Sequence, residues 1–223
     1  MNGELQVMIA TIAFGMGINK SDVRFVIHAK LPKNFEGYVQ ECGRAGRDQE
    51  QSQCILYYQY SDRSSTDYHI GKLGYAQQMK NLSALYSILE YCEERNECRR
   101  KMQLEYLDED FDQKNCNRMC DNCKNGYSFQ YDDQTKEAKL MVEFFSKARL
   151  VANQFTMKQA LDFLMGRKIT SKYPISKQLT TDYWGSMKRH KEDLIRRLMI
   201  KMLRLSILEE EFVTVNVQAR QFT

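Results

Sequence analysis

No apolar run in the 223 residues approaches the ~18 that a bilayer-spanning helix needs, so a membrane-spanning class is excluded. The opening residues Met1-Asn2-Gly3-Glu4-Leu5 have neither a basic segment leading into an apolar one nor the Arg and Ser bias of a transit peptide, and secretion is not expected. Without an export signal, the seven cysteines read as free thiols, metal ligands or small buried hydrophobes rather than a disulfide framework. Nowhere does the phosphate-cradling pattern G-x-x-x-x-G-K-[ST] occur. The acidic run Asp108 to Asp112 does not follow a buried strand, as a magnesium-binding acidic motif would. Taken alone, this chain is not expected to hydrolyse ATP.

What is present is a globular composition, with 43% hydrophobic and 28% charged residues, in a chain long enough for one large domain or two to three small ones. The net charge of +4 is unevenly placed. Residues up to 131 are slightly acidic, whereas Lys158 to Arg204 holds twelve Lys and Arg against four Asp and Glu. Such a segment is either a solvated helical surface or the footprint of a phosphate-rich partner.

From Leu5 to Tyr60, short apolar runs at Val7 to Ile12, Val23 to Ile27 and Cys54 to Tyr58 alternate with a glycine loop and a polar helical stretch. This is the pattern of an α/β layer with buried parallel strands. Three such strands need helices on both faces, so further chain before Met1 is expected. From about Ser61 the texture turns helical, with Leu82, Leu85, Tyr86, Leu89 and Cys92 at helix spacing, and a cysteine-rich stretch follows. Beyond the polar segment Ser128 to Thr135 come three amphipathic helices. The first turns Leu140, Met141, Phe144, Phe145 and Ala148 inward. The second opens on a capping box at Thr156 to Gln159 and stops at Gly166. The third runs from about His190 to Leu205, and Phe212 to Val217 then reads as a strand with a partner starting near Ala219. Three helices followed by a β-hairpin is winged-helix order.

Cys98, Cys116, Cys120 and Cys123 supply four thiols, three of them within eight residues, as a closed tetrahedral Zn²⁺ site requires. Cys92 competes with Cys98 for the first position, but its place on an apolar helix face favours burial as a small hydrophobe. Cys42 and Cys54 are expected to bind no metal. With four protein ligands the zinc would stabilise rather than catalyse.

The most specific segment is Gln40-Glu41-Cys42-Gly43-Arg44-Ala45-Gly46-Arg47-Asp48. Two arginines three apart on a glycine-punctuated turn suit a reach to nucleotide phosphates, because guanidinium forks match phosphate oxygens. Together with Ala10-Thr11-Ile12-Ala13-Phe14-Gly15-Met16-Gly17-Ile18-Asn19-Lys20 and Asp22-Val23-Arg24-Phe25-Val26-Ile27-His28, it closely resembles motifs V and VI of superfamily 2 helicases, specifically the RecQ family. Cys98-Arg99-Arg100 and Cys120-Asp121-Asn122-Cys123 resemble that family's zinc module. Phe155-Thr156-Met157 through Gly166, and Lys188-Arg189-His190 through Leu198, resemble its C-terminal winged helix. Asn19 and Ser21 stand where the family usually has Asp and Pro, and Cys42 where Ser is frequent.

The resemblance implies a partial RecA-like lobe over residues 1–60, a helical zinc module over 61–128 and a winged helix over 132–223. It makes Arg44 and Arg47 arginine fingers on the ATP γ-phosphate, with Gln40 and Gly43 in the nucleotide interface and Thr11, Gly15 and Gly17 coupling nucleotide to the DNA track. ATP and Mg²⁺ would be held mainly by a first motor lobe that this chain lacks. Lys188, Arg189, His190, Lys191, Arg196, Arg197 and Lys201 would face DNA phosphates, giving salt-sensitive binding to DNA junctions with little sequence preference. Tyr183 and Trp184 could stack on a base or belong to the core. The implied whole is a nuclear, ATP-dependent 3′ to 5′ DNA helicase of repair, recombination and replication. The alternatives are a non-catalytic zinc and winged-helix DNA-binding module, and an RNA helicase, which the order of modules disfavours.

Overall fold

The computed structural model describes residues 6–11, 20–126, 132–151, 155–169 and 175–212. It divides into two compact units, Met1–Ile88 and Leu89–Thr223. Among the described residues of the first unit, strand β1 (Phe25–His28) pairs in parallel with β2 (Gln53–Leu56), in register from Phe25 opposite Gln53 to His28 opposite Leu56. The crossover runs through helix α1 (Phe35–Cys42). Asn34 caps α1 by accepting the Gly37 amide at 2.8 Å, which satisfies one of the helix's open donors. Phe35 and Tyr38 are buried along it.

Strand alternation gives β1 two different faces. His28 meets α1, its ring 5.1 Å from that of Tyr38 and its Nε2 2.6 Å from Glu41 Oε2. Phe25 and Ile27 point the other way and are 59% and 57% exposed. The expected burial of every strand on both faces is therefore not met. Gln6 to Thr11 form no strand, and Val7 and Ile9 are 79% and 97% exposed. A strand is a strand only where a neighbour takes its backbone hydrogen bonds, and no such neighbour flanks this run among the described residues.

Helix α2 (Arg63–Ile70) follows a single 3₁₀ turn at Tyr60–Asp62. Its Arg63 is buried, forked onto Asp67 at 2.8 and 3.0 Å, and bonded to the Tyr60 hydroxyl at 2.6 Å. Helix α3 (Tyr75–Glu93) contains the division between units and buries Leu82, Leu85, Tyr86, Ile88 and Leu89, the face that the sequence periodicity marks.

The second unit continues with α4 (Arg99–Tyr106), a 3₁₀ turn at Gln113–Cys116, the short α5 (Asp121–Asn125), and helices α6 (Thr135–Leu150), α7 (Met157–Leu164), α8 (Lys177–Tyr183) and α9 (Glu192–Arg204). The core of α6 to α9 centres on Phe144, whose ring lies 5.5 Å from Phe163, 5.2 Å from Phe155 and 5.7 Å from Tyr183. Met141 and Ala148 join it on α6, and Ile195, Met199 and Met202 on α9. The capping box at α7 forms in full: the Gln159 amide donates to Thr156 Oγ1 at 3.2 Å and the Thr156 amide to Gln159 Oε1 at 2.9 Å. Helix α8 has no counterpart among the three amphipathic helices expected from the sequence. The strand expected from Phe212 and its partner from Ala219 lie outside the described residues, apart from Phe212, which is in no strand.

Two glycines let α7 end against the turn before α9. Gly166 has φ +76, and a Cβ there would stand 3.1 Å from the Cα of Gly185, itself at φ +71. Across this contact the amides of Gly185 and Met187 donate to the carbonyls of Phe163 and Leu164, at 3.0 and 2.8 Å. Gly166→Ala combines a left-handed backbone with backbone crowding, so it should lower unfolding free energy by about 1–3 kcal/mol in urea titration.

Candidate metal centre and nucleic-acid interface

The Sγ atoms of Cys98, Cys116, Cys120 and Cys123 all lie within 4.8 Å of one another, with Cys98 and Cys120 4.0 Å apart. A tetrahedron of thiolates with ~2.3 Å bonds has edges of about 3.8 Å, so the donors fit Zn²⁺. Local structure places each one. Cys98 precedes α4 as its N-cap residue, and Cys116 ends the 3₁₀ turn. Asn117 and Arg118 then take left-handed backbone at φ 48 and 57, which folds the three-residue spacer back on itself. Cys120 caps α5 and accepts the Cys123 amide at 3.4 Å. Cys92 is not part of the group, and burial pushes its thiol up to about 12. Cys42 and Cys54 lie in the other unit, where the Cys54 thiol donates to the Cys42 carbonyl at 3.7 Å.

Burial raises Cys98 and Cys123. For Cys116 burial acts in the same direction, but the Cys120 amide and the neighbouring thiols outweigh it and bring the group down to about 7. One thiolate is thus within reach at neutral pH.

The loop that carries two of the ligands is tied down by residues that the sequence reading used only as part of motifs. Arg99 Nε donates to Asp121 Oδ1 at 3.1 Å and Nη2 to Oδ2 at 3.2 Å, while Nη1 donates to the Tyr91 carbonyl. Burial works against ionising Asp121, yet this guanidinium holds its carboxyl below the usual range. Buried Asn122 donates to the carbonyls of Glu97 at 2.7 Å and Glu94 at 3.3 Å. Gln113 Nε2 lies 3.7 Å from Cys123 Sγ, an outer hydrogen bond of the kind that orients a ligand.

The arginine turn is held with similar care. Gly46 has φ +65, and a Cβ there would fall 2.6 Å from Ser52 Oγ and 2.9 Å from the Glu50 carbonyl, so only glycine fits. Its amide donates to the Val23 carbonyl at 3.0 Å, and Arg24, just before β1, pairs with Asp48 and donates to the Gln51 carbonyl at 3.2 Å. Arg44, half-buried, and Arg47, exposed, are thereby presented from a fixed turn. Gln40, Gly43 and Thr11 are exposed, and Gly15 and Gly17 lie outside the described residues.

The seven cationic residues expected at DNA divide into two groups. Arg196 Nε and Nη2 grip buried Glu93 at 3.1 and 3.3 Å, and Nη2 also meets Asp193 at 2.6 Å. Arg197 stands 3.7 Å from Asp193, and His190 3.3 Å from Glu137. Lys188, Arg189, Lys191 and Lys201 are exposed and make no ion pair among the described residues. Tyr183 is core, while Trp184 is exposed.

Residues 1–49 match the family described as helicase conserved C-terminal domain, and residues 60–124 match RecQ zinc-binding, which encloses all four clustered cysteines. The chain belongs to the RecQ helicase family. It is 44% identical to ATP-dependent DNA helicase Q-like 4B of Arabidopsis thaliana over 171 residues, 66% of this chain and 15% of that protein. It is 36% identical to ATP-dependent helicase SGS1 of Saccharomyces cerevisiae over 218 residues, 96% of this chain and 15% of that protein. With RecQ-like DNA helicase BLM of Xenopus laevis it shares 36% identity over 235 residues, 97% of this chain and 17% of that protein. The chain thus spans about a sixth of these RecQ relatives, and the two longer matches run into its last third. The zinc-binding domain of this RecQ chain carries its four-cysteine cluster at Cys98, Cys116, Cys120 and Cys123. Among the described residues no helix is long and apolar enough to cross a membrane.

Two predictions follow from the geometry of this RecQ chain. Zinc takes these cysteines as thiolates and competes with protons for them, so its affinity falls as pH falls and the metal is released once protons outcompete it, below the range in which the metal-free thiols titrate; a chromogenic chelator should register release on acidification. In the same assay Asp121→Ala, which frees Arg99 and the ligand loop, should weaken zinc affinity about 10- to 100-fold. The second concerns Arg196. If its place is structural, Glu93→Ala and Arg196→Ala should each cost about 3 kcal/mol in chemical denaturation, with the double variant well short of their sum, whereas Lys188→Ala should stay within about 0.5 kcal/mol.

Proposed function

We propose that this chain is the C-terminal part of an ATP-dependent 3′ to 5′ DNA helicase of DNA repair, recombination and replication, working in the nucleus. Its parts are a fragment of the second RecA-like lobe over 1–60, the zinc module over 61–128 and a winged helix over 132–223. The observation that carries this reading is the clamped turn at Arg44 to Arg47. Its backbone is fixed to the start of β1 through Gly46 and to Arg24 through Asp48, in a segment that matches the helicase C-terminal domain.

A motor of this type needs cationic groups that meet the γ-phosphate only when two lobes close on the nucleotide. Arg44 and Arg47 supply them: a guanidinium fork stabilises charge on the phosphate oxygens as it develops, and it does so best from a backbone that need not reorganise. Gln40 and Gly43 complete the nucleotide-facing surface on the same helix and turn. Thr11, Gly15 and Gly17 connect that surface to the DNA track. ATP and Mg²⁺ are held mainly by the first lobe.

At the other end, Lys188, Arg189, Lys191 and Lys201 offer four cations to phosphates, which positions the domain on DNA without reading sequence. Arg196, Arg197 and His190 contribute more by holding this surface in place, since each already faces a carboxylate. Zinc supplies no chemistry to the reaction and keeps the intervening module folded.

In protein containing both motor lobes, Arg47→Ala should reduce DNA-stimulated ATP turnover by about three orders of magnitude, with DNA affinity little changed. Turnover at the original rate would remove Arg47 from the mechanism and favour a non-catalytic DNA-binding module.

A further inference from the structure

The chain has a single tryptophan, Trp184, and it is 53% exposed. An isolated exposed apolar residue needs no explanation in general. This one differs from its neighbours in how firmly it is held. Tyr183 before it is buried against Phe144, and Met187 after it is buried in the same core. The Trp184 amide donates to the Thr180 carbonyl at 3.3 Å, and the amides of Gly185 and Met187 pin the following turn to the end of α7. Cζ2 of the indole lies 4.0 Å from the position a Cβ would take on Gly166, so the ring stands over the paired glycines. A large flat π-surface is thus fixed on a rigid support and left open to solvent.

Its electrostatic setting is cationic. Lys188 lays its alkyl chain beside the turn, Cδ 3.9 Å from the Cβ position of Gly185, and among the described residues Lys188, Arg189 and Lys191 are exposed without ion pairs. The acids nearest in sequence are all engaged: Asp182 with Lys147, Glu192 with Arg167, and Asp193 with Arg95 and Arg196. The positive field at the turn is therefore not cancelled locally. In sequence the indole is flanked by Gly185 and Ser186 and then by the exposed cations Lys188 and Arg189. A nucleobase flanked by phosphates finds a ring to stack on and charges to meet.

We infer that Trp184 is a stacking platform for an exposed DNA base, with Lys188 and Arg189 engaging the flanking phosphates. The base is either unpaired in a single strand or the terminal pair of a duplex. The inference rests on the DNA-binding reading above and adds a named contact to it.

Because the tryptophan is unique, its emission reports on this site alone. In the whole zinc-loaded chain, anisotropy of a labelled oligonucleotide measures binding while indole emission measures stacking. Quenching at saturation is expected with a single strand or a blunt duplex, and none with a closed circular duplex that has no ends. Quenching by the single strand alone identifies an unpaired base, and quenching by the blunt duplex a terminal pair. Trp184→Ala should weaken binding about tenfold or more, and Trp184→Phe should recover most of it. Lys188→Ala with Arg189→Ala should reduce the salt slope for single strands by about 1.4 and leave quenching at saturation intact. Binding without quenching, equal quenching by the closed circle, or undiminished affinity of Trp184→Ala would overturn the inference. A chain that gives no anisotropy change at all would overturn the DNA-binding reading and this inference with it.

Discussion

Four sulfur atoms drawn within 4.8 Å of one another form an arrangement that repels itself once the thiols ionise and gains little while they stay protonated. A divalent cation reverses the balance, since thiolate donors at tetrahedral spacing are worth far more to Zn²⁺ than to one another. Much of the local structure follows from that constraint. The left-handed pair Asn117 and Arg118, the capping of α5 by Cys120, and the anchoring of Asn122 to two carbonyls all serve to bring the ligands to one point. The described residues between α4 and α6 contribute little apolar burial of their own, so coordination stands where a hydrophobic core would otherwise be required.

Charge is allotted in two ways in the second unit. One group of cations is used internally: Arg99 on Asp121, Arg196 on Glu93 and Asp193, Arg204 on Glu90. These pairs join α9 to the end of α3 and fasten the zinc loop, and their geometry is bidentate or doubly partnered where burial is greatest. The other group, Lys188, Arg189, Lys191 and Lys201, remains open to solvent. A count of Lys and Arg along the sequence sums both groups and overstates the charge available to a phosphate backbone. Three of these four are lysines, whose flexible, strongly hydrated heads favour solvent, whereas the internal positions named above, forked and partly buried, are taken by arginines.

The arginine turn shows the same economy of means in the first unit. Its conformation depends on one glycine that admits no side chain and on one ion pair with the residue that leads into β1. In the function proposed above, such a mount would help because every degree of freedom removed beforehand is one that need not be lost at the transition state.

Several features were determined by the sequence alone, because they depend on local chemistry. The capping box at Thr156, the helix end at Gly166, the buried face of α3 and the three cysteines at C-x₃-C-x₂-C spacing all arise from residues close in the chain, and the motifs around Arg44 and Arg47 carried the family. Tertiary structure decided what depends on distant partners. It turned the outer face of β1 to solvent, packed α8 into the core through Leu179 and Tyr183, and left Trp184 outside it. It also gave Arg196 to Glu93, 103 residues away in the chain, and Arg99 to Asp121, 22 residues away. Periodicity and spacing record which residues share a face or a turn. They do not record which carboxylate a cation will meet once the chain has folded, and that pairing separates a cation that holds the fold from one left open to a partner.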